Sequence, residues 1–270
     1  MSEFVESMTT AITRRANKYV EMLDESRSQG TLRADEPELL NTFENYAADV
    51  LERYVPPGPR RRDSLVFTHL YSTVADPSPE DRTRLLITAL LAAETEFRGP
   101  LRLTQDQNSR LARILQGIGA GFMADRLPSH AALAFDRAAG LYLQVGDHRN
   151  RDQCLLARSR ARHRARDRGG IKVLETISAV LCGYGYQPYR LLGWVVVQLA
   201  GFSLVLALIS PESVINSLYM CLINFLNPLG VGDTQGMPRS SWILLIVEGY
   251  AGAVSLSIFF ALLVRRWFRV

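Results

Sequence analysis

The sequence has few residues of the types that build metal sites, disulfide frameworks and catalytic centres. Its 270 residues include three cysteines, Cys154, Cys182 and Cys221, which are odd in number and widely spaced. That spacing fits neither a disulfide framework nor a metal site. The four histidines form no ligand set or catalytic triad, because they are scattered: His69, His130, His148 and His163. We therefore expect no enzyme and no cofactor.

Two further patterns are missing. Residues 1–20 carry acidic side chains early and no apolar core, which predicts that there is no cleavable signal peptide. No alternation of apolar and polar residues is long enough to predict a β-strand, whereas helical periodicity recurs throughout residues 3–168. The expected fold class is therefore all-α, and any membrane insertion relies on an internal apolar helix.

Two long apolar segments lie in the last third of the chain, at Leu191–Ile209 and Trp242–Val264. Each can cross a hydrocarbon core of about 30 Å, which needs roughly 20 helical residues. The residues before about Gly170 are rich in Arg, Asp and Glu instead. This contrast predicts three parts: a cytoplasmic helical domain at 1–168, a linker with an interfacial helix at 169–189, and a transmembrane domain at 190–270.

The placement of charge predicts the orientation in the membrane. The loop between the two apolar segments carries only Glu212, Asp233 and Arg239. Basic residues flank the segments on the other side: Arg158, Arg160, Arg162, Arg164, Arg166, Arg168, Lys172, Arg265, Arg266 and Arg269. The positive-inside rule then places both termini of a multi-pass cell-membrane protein in the cytoplasm. The arginine run could also contact nucleic acid, but its position beside a span favours the topological explanation, and we expect no nucleic-acid partner.

Helical faces can be assigned within the first domain. The first helix has one apolar face: Phe4, Met8, Ile12, Ala16, Tyr19 and Leu23. The second has another, which stops before Pro56-Pro57: Leu39, Leu40, Phe43, Ala47, Val50, Leu51 and Tyr54. Shorter helical runs follow around 65–74 and 82–97, and a further helix is expected at 152–166.

Residues 112–145 form a sharper pattern, with two apolar faces separated by Pro128. Gly119 and Ala131 are small where two helices approach, and Phe122 and Phe135 fill the space beside them. This spacing resembles the tetratricopeptide repeat, a helical hairpin of about 34 residues. The resemblance implies a domain that binds a protein or peptide partner; a generic helical hairpin is the alternative.

The segment between the two spans, SVINSLYMCLINFLNPLGVGDT, is too short to cross the membrane again. The order of span, short apolar helix, glycine-rich loop and span resembles the two-transmembrane potassium channels, including bacterial members with a cytoplasmic domain. In that family four subunits surround one pore, and backbone carbonyls of the loop replace the water shell of the ion. The resemblance covers about residues 190–268 and implies a homotetramer that conducts potassium or another monovalent cation.

The loop residues match the family's filter pattern Thr-Val-Gly-Tyr-Gly-Asp in part. The resemblance places ion-path carbonyls on four residues: Leu229, Gly230, Val231 and Gly232. It places Asp233 at the outer mouth. Pro228 stands where a threonine hydroxyl forms the innermost ion site, and Val231 stands where an aromatic ring holds the filter diameter. We therefore expect cation conduction with a weak preference for potassium over sodium.

Three residues of the second span complete the candidate site. Glu248 is ionisable within an apolar segment, so it is expected behind the filter loop, where it can accept from loop amides, or facing the pore axis. Gly249 and Gly252 form either a hinge or a close helix crossing. The leading hypothesis is a tetrameric cation channel modulated by its helical domain; the alternative is a membrane-anchored helical scaffold whose pore no longer conducts.

Overall fold

The computed structural model describes residues 2–55, 64–72, 81–100, 102–165, 188–210, 213–226 and 238–268. All regular structure in these ranges is helical, as the sequence predicts. The chain divides into two compact units, Met1–Arg168 and Gly169–Val270. The first is called the helical unit below and the second the apolar unit.

The helical unit contains seven helices within its described residues: α1 (Ser2–Gln29), α2 (Leu32–Glu52), α3 (Thr68–Ser72), α4 (Arg82–Arg98), α5 (Gln105–Ala124), α6 (Pro128–Gln144) and α7 (His148–Ala165). The central helix is α4, because every residue from Leu86 to Glu96 is buried. The predicted faces of α1 and α2 lie in the same core with three exceptions: Phe4 packs at its edge, and Leu40 and Leu51 are half-buried outside it. Pro56-Pro57 lies outside the described residues, and α2 ends earlier, at Glu52.

The hairpin predicted at 112–145 is formed by α5 and α6, and its first helix begins earlier than expected. Thr104 caps α5: its side chain accepts a hydrogen bond from the amide of Gln107, whose side chain accepts one from the Thr104 amide. Pro128 occupies the first turn of α6, where its missing amide proton costs nothing. The tetratricopeptide resemblance itself stays a prediction.

Small residues let the helices of this hairpin approach closely. A Cβ atom added at Gly119 would lie 2.8 Å from the ring of Phe135 on α6, and one added at Gly121 would lie 2.6 Å from Leu86 on the neighbouring helix α4. The predicted contact between Gly119 and Phe135 is therefore present. Gly146, at φ +73°, then ends α6, and Asp147 accepts a hydrogen bond from the Asn150 amide at 3.1 Å to begin α7.

The apolar unit contains three described helices that pack on one another: α8 (Pro188–Ile209), α9 (Val214–Leu226) and α10 (Arg239–Phe268). Leu191–Ile209 and Arg239–Val264 are long and apolar enough to cross a membrane. Within each helix, only a small share of the most apolar 18-residue stretch is buried by the rest of the chain: 17% in the first helix and 22% in the second. Because the core helix of a soluble protein would be mostly buried, this exposure supports membrane association.

The short helix α9 is amphipathic in the sense opposite to a water-soluble helix. Its buried face consists of Ser217, Cys221 and Asn224. Its exposed face is apolar: Val214, Ile215, Leu218, Tyr219, Leu222 and Leu226. An apolar outer face suits lipid or another apolar surface and is unfavourable in water.

Candidate functional site

The structure places three of the sequence-predicted site residues and leaves the others outside the described residues. Pro228, Leu229, Gly230, Val231, Gly232 and Asp233 all fall in the range 227–237, which is not described. Glu248, Gly249 and Gly252 lie on α10, and all three are buried. The described part of the site is therefore the contact between α9 and α10.

Glu248 is hydrogen-bonded to a residue of α9 that the sequence analysis did not single out. The side-chain nitrogen of Asn224 donates to Glu248 Oε2 at 3.1 Å and to the backbone oxygen of Leu245 at 2.7 Å. Both amide hydrogens of Asn224 are thereby used. Since the side chains of Asn224 and Glu248 are almost completely buried, these bonds fix α9 against α10 in a place where water does not compete.

Two more polar side chains lie beside this pair, and the four residues together are called the polar column below: Ser203, Cys221, Asn224 and Glu248. The thiol of Cys221 lies beside the Ser203 hydroxyl on α8 and the Glu248 carboxylate on α10. Glu248 Oε1 and Ser203 Oγ are buried with no nitrogen or oxygen partner among the described residues, and the polar group beside both side chains is the Cys221 thiol, a weak donor. A buried acceptor with no partner is costly. The one signal in the sequence was the spacing of polar residues along α9, at Ser217, Cys221 and Asn224.

Gly252 marks a close crossing of α9 and α10. A Cβ atom at Gly252 would lie 2.6 Å from Cδ2 of Phe225, so the glycine leaves room for the aromatic ring. Of the two alternatives stated for this glycine, close crossing has direct geometric support. The hinge stays a prediction.

A second buried polar cluster lies in the helical unit, and the sequence analysis missed it. Glu36 of α2 accepts four hydrogen bonds from the start of α6: from the amide and hydroxyl of Ser129 at 2.7 and 2.8 Å, and from the amide and Nδ1 of His130 at 3.2 and 2.9 Å. Tyr19 Oη lies 2.7 Å from His130 Nε2. Burial, and then the negative charge of Glu36, raise the pKa of Tyr19.

This cluster has the geometry of a structural cap. Ser129 donates to Glu36, so its hydroxyl has no histidine base. Neutral His130 with its proton on Nδ1 satisfies both partners, since it donates to Glu36 and accepts from Tyr19. The carboxylate also faces the positive end of the α6 dipole. Although the histidines looked isolated in the sequence, His130 joins α1, α2 and α6.

A third buried carboxylate, Glu94 of α4, faces Arg137 of α6. Arg137 Nε donates to Glu94 Oε1 at 2.8 Å, and the guanidinium carbon lies 5.6 Å from the centre of the Phe97 ring. Burial raises the pKa of Glu94, and Arg137 offsets part of that rise. No group of histidine, cysteine, aspartate and glutamate side chains in the described ranges could hold a metal ion.

Comparison with known proteins gives no relative: no family model, no curated protein and no solved structure matches this chain.

Proposed function

We propose that this chain is one subunit of a tetrameric cation channel of the potassium-channel type, with a cytoplasmic helical unit that modulates it. The observation that carries the proposal is the arrangement of α9. This short apolar helix packs on two span-length helices, and in the sequence the segment Leu229–Asp233 begins three residues after its last residue. The same order of elements defines the pore domain that the sequence resembles.

In this proposal the polar column holds α9 in one position against α10. Asn224 binds both the backbone and a side chain of α10. The free oxygen of Glu248 is an acceptor with no described partner, and it suits an amide of the loop that follows α9. Glu248 would then be a positioning residue for the ion-path carbonyls of residues 229–232.

Four copies are proposed because one copy cannot satisfy such a loop. Irregular backbone at membrane depth is stable only when it is buried in protein or lines water. Four copies around an axis would enclose the loop and cover the exposed apolar face of α9. Both termini would face the cytoplasm, as the arginine distribution predicts.

The test is ion flux into vesicles that contain the purified chain. We expect potassium and sodium to pass, with a weak preference for potassium. Gly230→Ala and Gly232→Ala should abolish flux without changing the oligomeric mass, because only glycine reaches the alternating filter conformations without strain. Gly201→Ala is the matched control, since an added Cβ there meets nothing within 4 Å. Normal flux in both filter variants would rule out the filter assignment.

The alternative is a membrane-anchored helical scaffold that does not conduct, and it rests on two residues. Pro228 has no hydroxyl for the innermost ion site, and Val231 has no aromatic ring. In the channel proposal, Pro228→Thr with Val231→Tyr should raise the potassium preference of an already conducting pore. If neither the wild type nor this double variant passes any cation, the scaffold is favoured.

A further inference from the structure

Helix α7 carries the most concentrated charge in the helical unit. It holds six arginines and one aspartate, a formal charge of +5 with neutral histidines. Of its arginines, Arg158 is the one that forms an ion pair within the described residues, to Asp136 of α6 at 3.1 Å. The packing of α7 therefore does not account for the remaining arginines.

Three of these arginines share one exposed face. Arg160 and Arg164 are one turn apart, and Arg149 precedes Arg160 by eleven positions, or about three turns. All three are exposed, whereas Cys154 and Ala161 on another face of α7 are buried. No ion pair joins the three to a carboxylate in the described part of the chain. Arg149, Arg160 and Arg164 are called the basic stripe below.

We propose that the basic stripe binds the headgroups of anionic lipids at the membrane surface. The proposal rests on the membrane location given above but not on conduction. The first apolar segment begins at Leu191, only 26 residues after the end of α7. This short connection tethers the stripe to a bilayer, so it meets the lipid headgroups at high effective concentration. Cytoplasmic leaflets are negatively charged and attract such clusters.

The composition of α7 favours lipid over single-stranded nucleic acid. Single-stranded nucleic acid is held by aromatic side chains on which the bases stack, in addition to positive charge. α7 contains no phenylalanine, tyrosine or tryptophan. Arginine alone is sufficient for a charged surface, where each residue contributes about fivefold in affinity. The three stripe residues together should contribute roughly a hundredfold.

The experiment is arginine footprinting of the full chain in lipid nanodiscs. Phenylglyoxal modifies accessible guanidinium groups, and mass spectrometry reports the rate at each position. We compare discs of zwitterionic lipid alone with discs that contain phosphatidylglycerol. The anionic lipid should slow modification of Arg149, Arg160 and Arg164 at least fivefold. One molar salt, which shortens the Debye length to about 3 Å, should restore the rate.

Internal and variant controls separate this effect from a general change in reactivity. Three exposed arginines outside α7 should keep their rates in both kinds of disc: Arg14, Arg53 and Arg102. Arg149→Gln should reduce the protection of Arg160 and Arg164, whereas Arg14→Gln should leave it unchanged. Helical circular dichroism checks that both variants are folded.

Three results would overturn the proposal. Equal rates for the stripe in both kinds of disc would show that no lipid covers it. Protection by inorganic phosphate in zwitterionic discs, equal to that by anionic lipid, would assign the stripe to a free anion. Protection by added polyuridylate without any effect of anionic lipid would assign it to nucleic acid. None of these outcomes depends on whether the pore conducts.

Discussion

Glu36 in the helical unit and Glu248 in the apolar unit are both almost completely buried, but their hydrogen bonding differs. Glu36 uses both oxygens, whereas Glu248 uses Oε2 and leaves Oε1 without a described partner. A fully bonded carboxylate stabilises one arrangement of its neighbours. One with a free oxygen can still accept a further donor.

At the residue scale, Glu36→Ala should strongly destabilise the helical unit. It removes the acceptor for two amides and two side chains at the start of α6, and each stranded donor costs about 1–3 kcal/mol. We expect a loss of at least about 3 kcal/mol in the free energy of unfolding. Chemical denaturation of the full chain in detergent measures it. Glu38→Ala, an exposed change on the same helix, should cost little; equal costs would contradict the capping role.

Also at the residue scale, Cys154 should be unreactive while the helical unit is folded. Burial raises the pKa of its thiol from 9.0 to about 12. The unfolded state therefore loses its proton first, and stability falls as the pH rises from about 9 towards 12. At pH 9, an iodoacetamide probe should label Cys154 only in denaturant, as read by mass spectrometry. Rapid labelling of the folded chain would show that the core is open there.

At the element scale, the crossing of α9 and α10 can be separated from a hinge. Gly252→Leu should displace Phe225 and lower the melting temperature of the apolar unit, because a Cβ at that position has no room. Adding Phe225→Ala should restore much of the loss by clearing the ring. Gly201→Leu, where the Cβ meets open space, is the control. If Gly252 were a hinge, Gly252→Leu would change the ion flux, and adding Phe225→Ala would not restore it.

The hydrogen bonds between Asn224 of α9 and helix α10 give a further prediction at this scale. Asn224→Ala removes both bonds to α10 and leaves the buried Glu248 carboxylate without its amide donor, whereas the Leu245 carbonyl keeps its place in the backbone bonding of the helix, so the cost should be about 1–3 kcal/mol. The proposed channel should also lose potassium preference before it loses its oligomeric mass. Asn17→Ala, an exposed change in the helical unit, is the control. Unchanged stability and flux in Asn224→Ala would remove the pair from the site.

Elements were predictable where local sequence determines them. Periodicity indicated the faces of α1 and α2, and small and aromatic residues indicated the contact of Gly119 with Phe135. Contacts between residues far apart in the sequence were not predictable. Glu36 bonds to His130, which lies 94 positions further along the chain, and Asn224 bonds to Glu248, which lies 24 positions further. The sequence indicated that Glu248 and the polar residues of α9 are buried, but it did not indicate which residues pair with each other, and the types of Glu36 and His130 also suit solvated positions. The loop at 228–233 lies outside the described residues, so its role stays a prediction.

For the whole molecule, the proposed assembly requires four copies. Native mass measurement in mild detergent should give about four times 30.2 kDa plus bound lipid. The apolar face of α9 supplies a reason, because partner subunits would cover it. Leu218→Lys with Leu222→Lys on that face should yield smaller species, whereas Arg14→Gln should not. A folded wild-type monomer would contradict the channel and fit the scaffold.

The four bonds of Glu36 also set an order of events during synthesis. Ser129 leaves the ribosome 93 residues after Glu36, a delay of about 5–19 s at 5–20 residues per second. Until then the carboxylate lacks the four donors of α6, although α2 can already pack on α1 and α4. Pro188, the first residue of α8, follows Ala165 by only 23 residues, or about 1–5 s. If α8 inserts into a membrane as proposed, its insertion would begin at nearly the time when the helical unit completes its core, so slow formation of the Glu36 bonds would leave that core unfinished when insertion starts.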